Sequence, residues 1–553
     1  MNSAWQLRRR KIFLPPIVPT HPSQDRTAAL SDGSAAPFPD SARHWNNSVV
    51  GLRKQTKGRI VNGWLVLIAF VGAVISVADG LTRAPNPGLE LSPPQPLEYV
   101  PYHAAFLLAA VALPLMFAYA KKARASLSEA FFLWFVLCTA AYMKDFSYLR
   151  LPGTPLYVTD LVLIALLLWI RCAPYQRHSN RHVPLKIFLT LFIGAGVLAA
   201  VRGFLGHREL ILVLRDSALI AYPLFLGIGY YLLESWLAIK RAAVWFVLGT
   251  TLSVLNGFGW LIVAPEQRRF VFPGIYILIS LIGVFILTAN RLIRPQLGWI
   301  LAIGLSLGLL LANMRSLFVS LSVVSFLALV TPGLLRGKVR SVRLATALIG
   351  ATALVCSGAF FLLHQQASRD FTSRVGDNLD SGLLHTTDDP YWQFRQAAWK
   401  EAWHRFEEYP PAGEGFGVPF NFEIWDNDPR PHNTYLTVLY KMGLLGFLPS
   451  LALLAYFFWH GLRVARANAE SRRIPFLQTA ILAQACFCVF GGANLLFESP
   501  YLASLFWAGM GVSLRMIDMF DFERSVRNIA IDNFVEHRTT MRFGKLPTQG
   551  AIR

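Results

Sequence analysis

The sequence predicts an all-α, polytopic transmembrane helix bundle of about 12–14 spans, with one large extracytoplasmic loop that contains an amphipathic helix. Three observations predict it. Hydrophobic residues make up 54% of the 553-residue chain and charged residues only 15%, against about 25% charged in soluble domains. Mean hydropathy is +0.43. Apolar stretches of spanning length, about 17 to 25 residues, recur from one end of the chain to the other. An ordinary cytosolic enzyme, a disulfide scaffold and a disordered tail protein are excluded. The net charge of +20, in a polytopic chain, reports cytoplasmic anchors beside anionic lipid rather than nucleic acid.

Taken in order, residues 1–60 are polar and rich in proline (Pro15, Pro16, Pro19, Pro22, Pro37, Pro39) and read as a disordered cytoplasmic tail. Arg8-Arg9-Arg10-Lys11 resembles the start of a twin-arginine export signal, but the prolines that follow leave it no apolar core. Apolar runs within 61–363 then mark spans near 61–79, 101–120, 127–143, 156–170, 185–201, 217–233, 242–263, 271–290, 297–312, 317–333 and 344–363. After a polar stretch at 364–434, further spans are expected near 435–459, 476–496 and 501–516, with a second cytoplasmic tail at 517–553. Nineteen Lys and Arg fall in the short loops on one side and nine in those on the other, so both termini are expected in the cytoplasm and 364–434 in the periplasm. The five cysteines all lie in or beside apolar runs and read as packing residues.

The 364–434 loop carries twelve acids and six bases in a basic protein. A loop of this length is usually functional. Within it, Tyr391 to Phe406 reads as an amphipathic helix with Trp392, Trp399, Trp403 and Phe406 on one face. Such a face suits docking on the bundle, the lipid interface, or a lid over a lipid-linked substrate. Gly413-x-Gly415-x-Gly417 follows Pro410-Pro411; with no strand before it and no helix after, it predicts a turn with positive φ rather than a phosphate loop. Asp426-Asn427-Asp428 has the form of a cation site, but 71 residues without a βαβ pattern cannot supply the nucleotide-binding domain such sites need, so no metal is expected.

His432 stands where the loop re-enters the membrane, a place for either a solvated cap or a general base acting on a sugar hydroxyl. Arg315 interrupts the apolar run 297–330, where a guanidinium is costly unless it faces a cavity or partner. Arg215, Arg268 and Arg269 sit at outer helix ends against the prevailing charge bias. Each alone reads as a salt-bridged or snorkelling residue; together, in the leaflet of His432, they suggest an anion site, since the guanidinium fork matches phosphate oxygens.

Arg315 in a split apolar pair, Arg395-x-x-x-Trp399, Pro410-Pro411 before Gly413-x-Gly415, Pro431-His432-Asn433 and Gly443-x-x-Gly446 occur in that order. Over about 260–515 the chain thereby resembles the O-antigen ligase and O-antigen polymerase family of multispanning bacterial membrane glycosyltransferases. The resemblance implies a cell inner-membrane enzyme of surface polysaccharide (exopolysaccharide or lipopolysaccharide) biosynthesis. Its donor would be a glycan on polyprenyl (undecaprenyl) pyrophosphate; its acceptor would be a glycan or a lipid-linked repeat. It further implies an inverting, metal-independent transfer with no cofactor, polysaccharide assembly proteins as partners, and no nucleic acid. His432 would be the base and Arg315 a catalytic stabiliser. Arg215, Arg268, Arg269, Arg395 and Asn433 would hold pyrophosphate or glycan. Polymerase is favoured over a ligase acting on lipid A–core. From a different class, a transporter of lipid-linked glycan stays open, though no repeated halves support it.

Overall fold

The computed structural model describes residues 63–79, 81, 103–149, 156–172, 182–263, 274–312, 314–330, 390–420 and 430–543. The expected span near 344–363, the N-terminal tail and Asp426-Asn427-Asp428 lie outside them. Among the described residues the regular structure is helical, with no strand. The first helices are α1 (Gly63–Asp79), α2 (His103–Ala123), α3 (Leu127–Ser147), α4 (Val158–Cys172) and α5 (Val183–Leu205). A segmented stretch follows: α6 (Leu210–Asp216), α7 (Ala218–Ala221), a 3-10 turn (Tyr222–Leu224) and α8 (Phe225–Leu232). Then come α9 (Trp236–Val263), α10 (Gly274–Ala289), α11 (Pro295–Ala312) and α12 (Arg315–Val330). Last are the loop helix α13 (Pro390–Glu408) and α14 (Thr434–Ala467), α15 (Ile474–Gly491) and α16 (Pro500–Phe543).

Seven described helices are long and apolar enough to cross a membrane, and several shorter apolar helices accompany them. The chain is a multi-pass, all-α membrane protein. Its outward faces agree, since Leu205 (74% exposed), Ile262 (77%) and Ile300 (68%) point away from the bundle, which water would penalise and lipid does not. Inside, α8 lies against α16, α3 against α9, α14 against α5, and both α10 and α12 against α15. Phe135 and Phe225 stack at 5.4 Å, and Tyr119 meets Trp245 edge-on at 5.3 Å. The helix starts follow local rules: Ser126 caps α3 by accepting from the Glu129 N–H at 3.0 Å.

Against the expected spans, the structure differs at two places and agrees at a third. The run at 217–233 is one crossing that begins earlier, at Leu210, and it is broken where Pro223 removes a backbone donor. Arg315 opens α12, in agreement with the split apolar pair expected there. The last helix continues without interruption to Phe543.

Candidate functional site

The site is built around a broken helix. Asn433 caps α14, its Oδ1 accepting from the N–H groups of Tyr435 and Leu436, both at 3.1 Å. Ten residues later the helix breaks, because Gly443 adopts φ 60, ψ −161. A break at membrane depth frees backbone groups that lipid cannot satisfy. Here the glycine-rich segment 409–417 satisfies them. The carbonyls of Tyr440 and Lys441 accept from Glu414 N–H (2.7 Å) and Gly415 N–H (3.0 Å), while the N–H groups of Leu444 and Leu445 donate to Pro410 O (2.9 Å) and Pro411 O (3.0 Å). The loop is stitched into the helix by main-chain bonds on both sides of the break.

That stitch demands glycine. Gly413 has φ +67 and Gly443 φ +60; a Cβ on Gly413 would stand 2.5 Å from Met442 N, and one on Gly443 2.5 Å from Gly413 N and Pro411 O. The expected positive-φ turn is therefore present, with Gly415 at φ 94 and Gly417 at φ 80. It serves as a helix splint.

The same segment is fastened to α5 and α6. Phe416 N–H donates to Ala199 O at 3.0 Å. Arg202 donates to the carbonyls of Ala412 and Gly413, and Arg208 to Phe416 O at 3.3 Å. The Gly417 N–H reaches Asp216 Oδ2 at 2.9 Å, and the buried Lys441 ammonium pairs with the same oxygen. Arg215 Nε lies 3.7 Å from Asp216 Oδ1. One turn nearer the start of α14, Thr437 Oγ1 is 3.5 Å from Glu498 Oε1, and Arg430 lies 3.5 Å from Glu498 Oε2. Asp216, Lys441 and Glu498 are 1–3% exposed, so three carriers of full charge are held in the interior. Charges are kept there only when paired and hydrogen-bonded.

His432 stands at the mouth of this arrangement. It is partly exposed and has φ +47, a conformation uncommon for a side-chain-bearing residue and concentrated at functional sites. Trp399 of α13 fixes the backbone beside it, its indole N–H donating to Pro431 O at 2.8 Å, and the Phe394 ring meets the imidazole edge-on at 6.2 Å. The helix α13 packs on α14 through Ala398 and Ala402, with Phe420 and Tyr440 completing the contact. Along the expected aromatic face, the rings of Trp392 and Trp399 lie 5.7 Å apart and those of Trp403 and Phe406 5.3 Å apart. Trp403 is 47% exposed and donates to Glu407, while Phe406 packs against the contact with α14. Burial works against charge on Arg405, yet Glu401 and Glu414 outweigh it and hold its pKa above the ordinary value.

Of the residues singled out by sequence, His432, Asn433 and Arg215 fall at this one end of the bundle, and Arg395 lies on α13. Arg315 is the first residue of α12. Arg268 and Arg269 lie outside the described residues. Asn433 Oδ1 is committed to the helix cap. Asp160 accepts from the Tyr157 N–H and the Tyr222 hydroxyl. Sequence reasoning did not assign roles to Arg202, Arg208, Asp216, Lys441, Arg430 or Glu498. The available signal was the presence of arginines at loop-side helix ends against the prevailing charge bias.

Residues 299–451 match a family model described as O-antigen ligase. The match runs from α11 through α13, the glycine turn and His432 to just beyond the Gly443 break. A comparison with curated proteins finds no match.

Proposed function

From a chain whose residues 299–451 belong to the O-antigen ligase family, we propose an inner-membrane glycosyltransferase that moves a glycan from polyprenyl pyrophosphate to an acceptor sugar hydroxyl. The observation that carries this reading is His432: an imidazole at the mouth of a buried, cation-rich site, anchored through Pro431 to the loop helix. In the proposed reaction His432 takes the proton of the acceptor hydroxyl as that oxygen attacks the anomeric carbon. The bond from that carbon to the pyrophosphate oxygen breaks on the opposite face, so the configuration inverts. Arg315 and Arg215, with Arg268, Arg269 and Arg395, hold the departing pyrophosphate and neutralise its growing charge. Removing one such donor costs about 3 kcal/mol of transition-state stabilisation. Neither a metal nor a cofactor is needed for this step.

The Lys and Arg excess in the loops at the other end supports a periplasmic site with cytoplasmic termini. A transporter would also break a helix at membrane depth, but here the break is filled by loop backbone, which favours a fixed catalytic site. Polymerisation is preferred to ligation, since nothing marks a dedicated lipid A–core partner.

The test is the glycan profile of cells carrying His432→Ala, with membrane levels of the protein measured on the same samples. Long-chain glycan should disappear at a normal protein level. Single repeats left on the polyprenyl lipid indicate a polymerase, and long chains left there indicate a ligase. An unchanged profile, where deletion of the gene removes the glycan, refutes the reading.

A further inference from the structure

Buried polar atoms without a hydrogen bond occur at both ends of the bundle, and several lie at the loop end. Glu498 Oε2, ion-paired with Arg430 at 3.5 Å but without a hydrogen bond, and the Tyr440 hydroxyl are both among them. Glu498 is 3% exposed and Tyr440 fully buried. Native proteins rarely bury such groups, and each one asks what it binds. Glu498 sits on the turn 494–499, which lies along the start of α14: Thr434 Oγ1 donates to Asn494 O at 2.9 Å and accepts from Leu496 N–H at 2.6 Å. Thr437, beside Glu498, is three residues past Thr434, about 5 Å along the helix at about 1.5 Å per residue. His432 is two residues from Arg430, whose guanidinium lies 3.5 Å from the Glu498 carboxylate, and directly precedes the Asn433 cap of α14.

Beside Glu498 three tyrosines meet. The Tyr148 ring faces Tyr157 edge-on at 5.1 Å and Tyr501 at 6.1 Å, and all three are partly exposed. Ser499 and Arg430 are neighbours of the Tyr148 hydroxyl. The cluster is held from several sides. Asp160 accepts the Tyr157 N–H at 2.9 Å, and Tyr276 donates its hydroxyl to Tyr501 O. Interfacial tyrosines of a lipid belt are spread around a perimeter; these converge on one another and on an ion pair.

The chemistry of the floor selects the ligand. The Glu498–Arg430 pair carries no excess of positive charge, so pyrophosphate is a poor occupant. An isoprenoid chain has no hydrogen to give to a carboxylate. A pyranose has both what is needed: hydroxyl donors around its rim, and C–H faces whose partial positive charge suits the negative face of an aromatic ring.

We propose that Tyr148, Tyr157, Tyr501 and Glu498 form a sugar subsite that receives a pyranose ring of the acceptor glycan and presents one of its hydroxyls to His432. The assignment of the sugar to the acceptor rests on the glycosyl-transfer reading; the sugar site itself does not.

The test is saturation-transfer NMR on the full chain in phosphatidylethanolamine–phosphatidylglycerol nanodiscs. The probes are methyl glycosides of glucose, galactose, rhamnose and N-acetylglucosamine. At least one should receive saturation on its ring C–H protons. Tyr148→Ala and Tyr501→Ala should each reduce that signal about fivefold or more, and Glu498→Gln should weaken binding about tenfold, while His432→Ala retains it. Tyr157→Ala, at a partly exposed position, serves as a second probe should a variant unfold, and thermal unfolding of each variant is recorded alongside. No saturated glycoside, or equal saturation in the tyrosine and Glu498 variants and the unaltered chain, overturns the proposal. A normal glycan profile in His432→Ala cells with glycoside binding intact would instead remove the transferase reading and leave the sugar site standing.

Discussion

Two buried aspartates, one at each end of the bundle, are used in different ways. Asp216 binds a lysine on another helix and a backbone N–H of the loop through a single oxygen. Asp518, at the far end, accepts from Tyr230 and lies 3.0 Å from His182 Nε2, with His460 packed edge-on against that imidazole at 5.5 Å. The first joins helix to loop, and its geometry depends on main-chain atoms that only glycine lets approach. The second joins helix to helix through side chains alone. A polar contact that fixes backbone is hard to replace, whereas one between side chains can be re-packed. The loop end is accordingly where the chain commits charge and unusual backbone to a purpose, and the far end is where it closes a bundle.

The largest expected effect follows from that contrast. Gly443→Ala must accept positive φ and a Cβ 2.5 Å from two main-chain atoms. Neither cost can be relieved by rotating a side chain, so the loop should detach from α14. Long-chain glycan should be lost completely, and protease should cut within 409–417 in membranes where the unaltered chain resists. Resistance and glycan equal to the unaltered protein would show that the stitch is not needed.

Next comes the ion pair itself. Lys441→Met or Asp216→Asn alone leaves one buried charge or polar group unpaired and should cost about 3–5 kcal/mol. The double replacement should recover much of that stability, measured as thermal unfolding in detergent, yet leave glycan output reduced because Gly417 N–H has lost its carboxylate. At the far end Asp518→Asn should cost about 1–2 kcal/mol, the scale of a lost hydrogen bond, with the glycan unchanged. Equal losses of glycan at both ends would erase the distinction drawn between them.

Most of the bundle is legible in sequence because lipid imposes one rule, an apolar run of sufficient length, that needs no knowledge of neighbours. The glycine turn at 413–417 is legible for a similar reason, since proline and glycine at that spacing leave few backbone alternatives. The break at Gly443 is not. Its local sequence, Lys441-Met442-Gly443-Leu444-Leu445, suits a helix, and the break is made by main-chain bonds from a segment about thirty residues away. Lys441 and Asp216 are separated by 225 positions, so only the fold reveals their pairing. The aromatic periodicity of α13 is legible, but it does not say that the fully buried contact with α14 is made by Ala398 and Ala402.

The smallest effect is the most discriminating, because it separates two uses of one residue. Asn433 adjoins His432, and its side-chain carbonyl caps α14. The amide nitrogen is the part a glycan or phosphate could use. Asn433→Ala should lower stability by about 1 kcal/mol, the ordinary value of a helix cap. Asn433→Asp keeps the cap oxygen and improves its fit to the positive helix end, so stability should be retained or slightly raised. If the amide donates to substrate, glycan length should fall in Asn433→Asp even though the helix is intact. If the residue only starts the helix, Asn433→Asp should behave as the unaltered chain and Asn433→Ala should lose glycan only in proportion to lost protein. Measuring both variants by thermal unfolding and glycan profile assigns Asn433 either to the helix or to the reaction, and with it the boundary between the scaffold that holds His432 and the surface that meets the sugar.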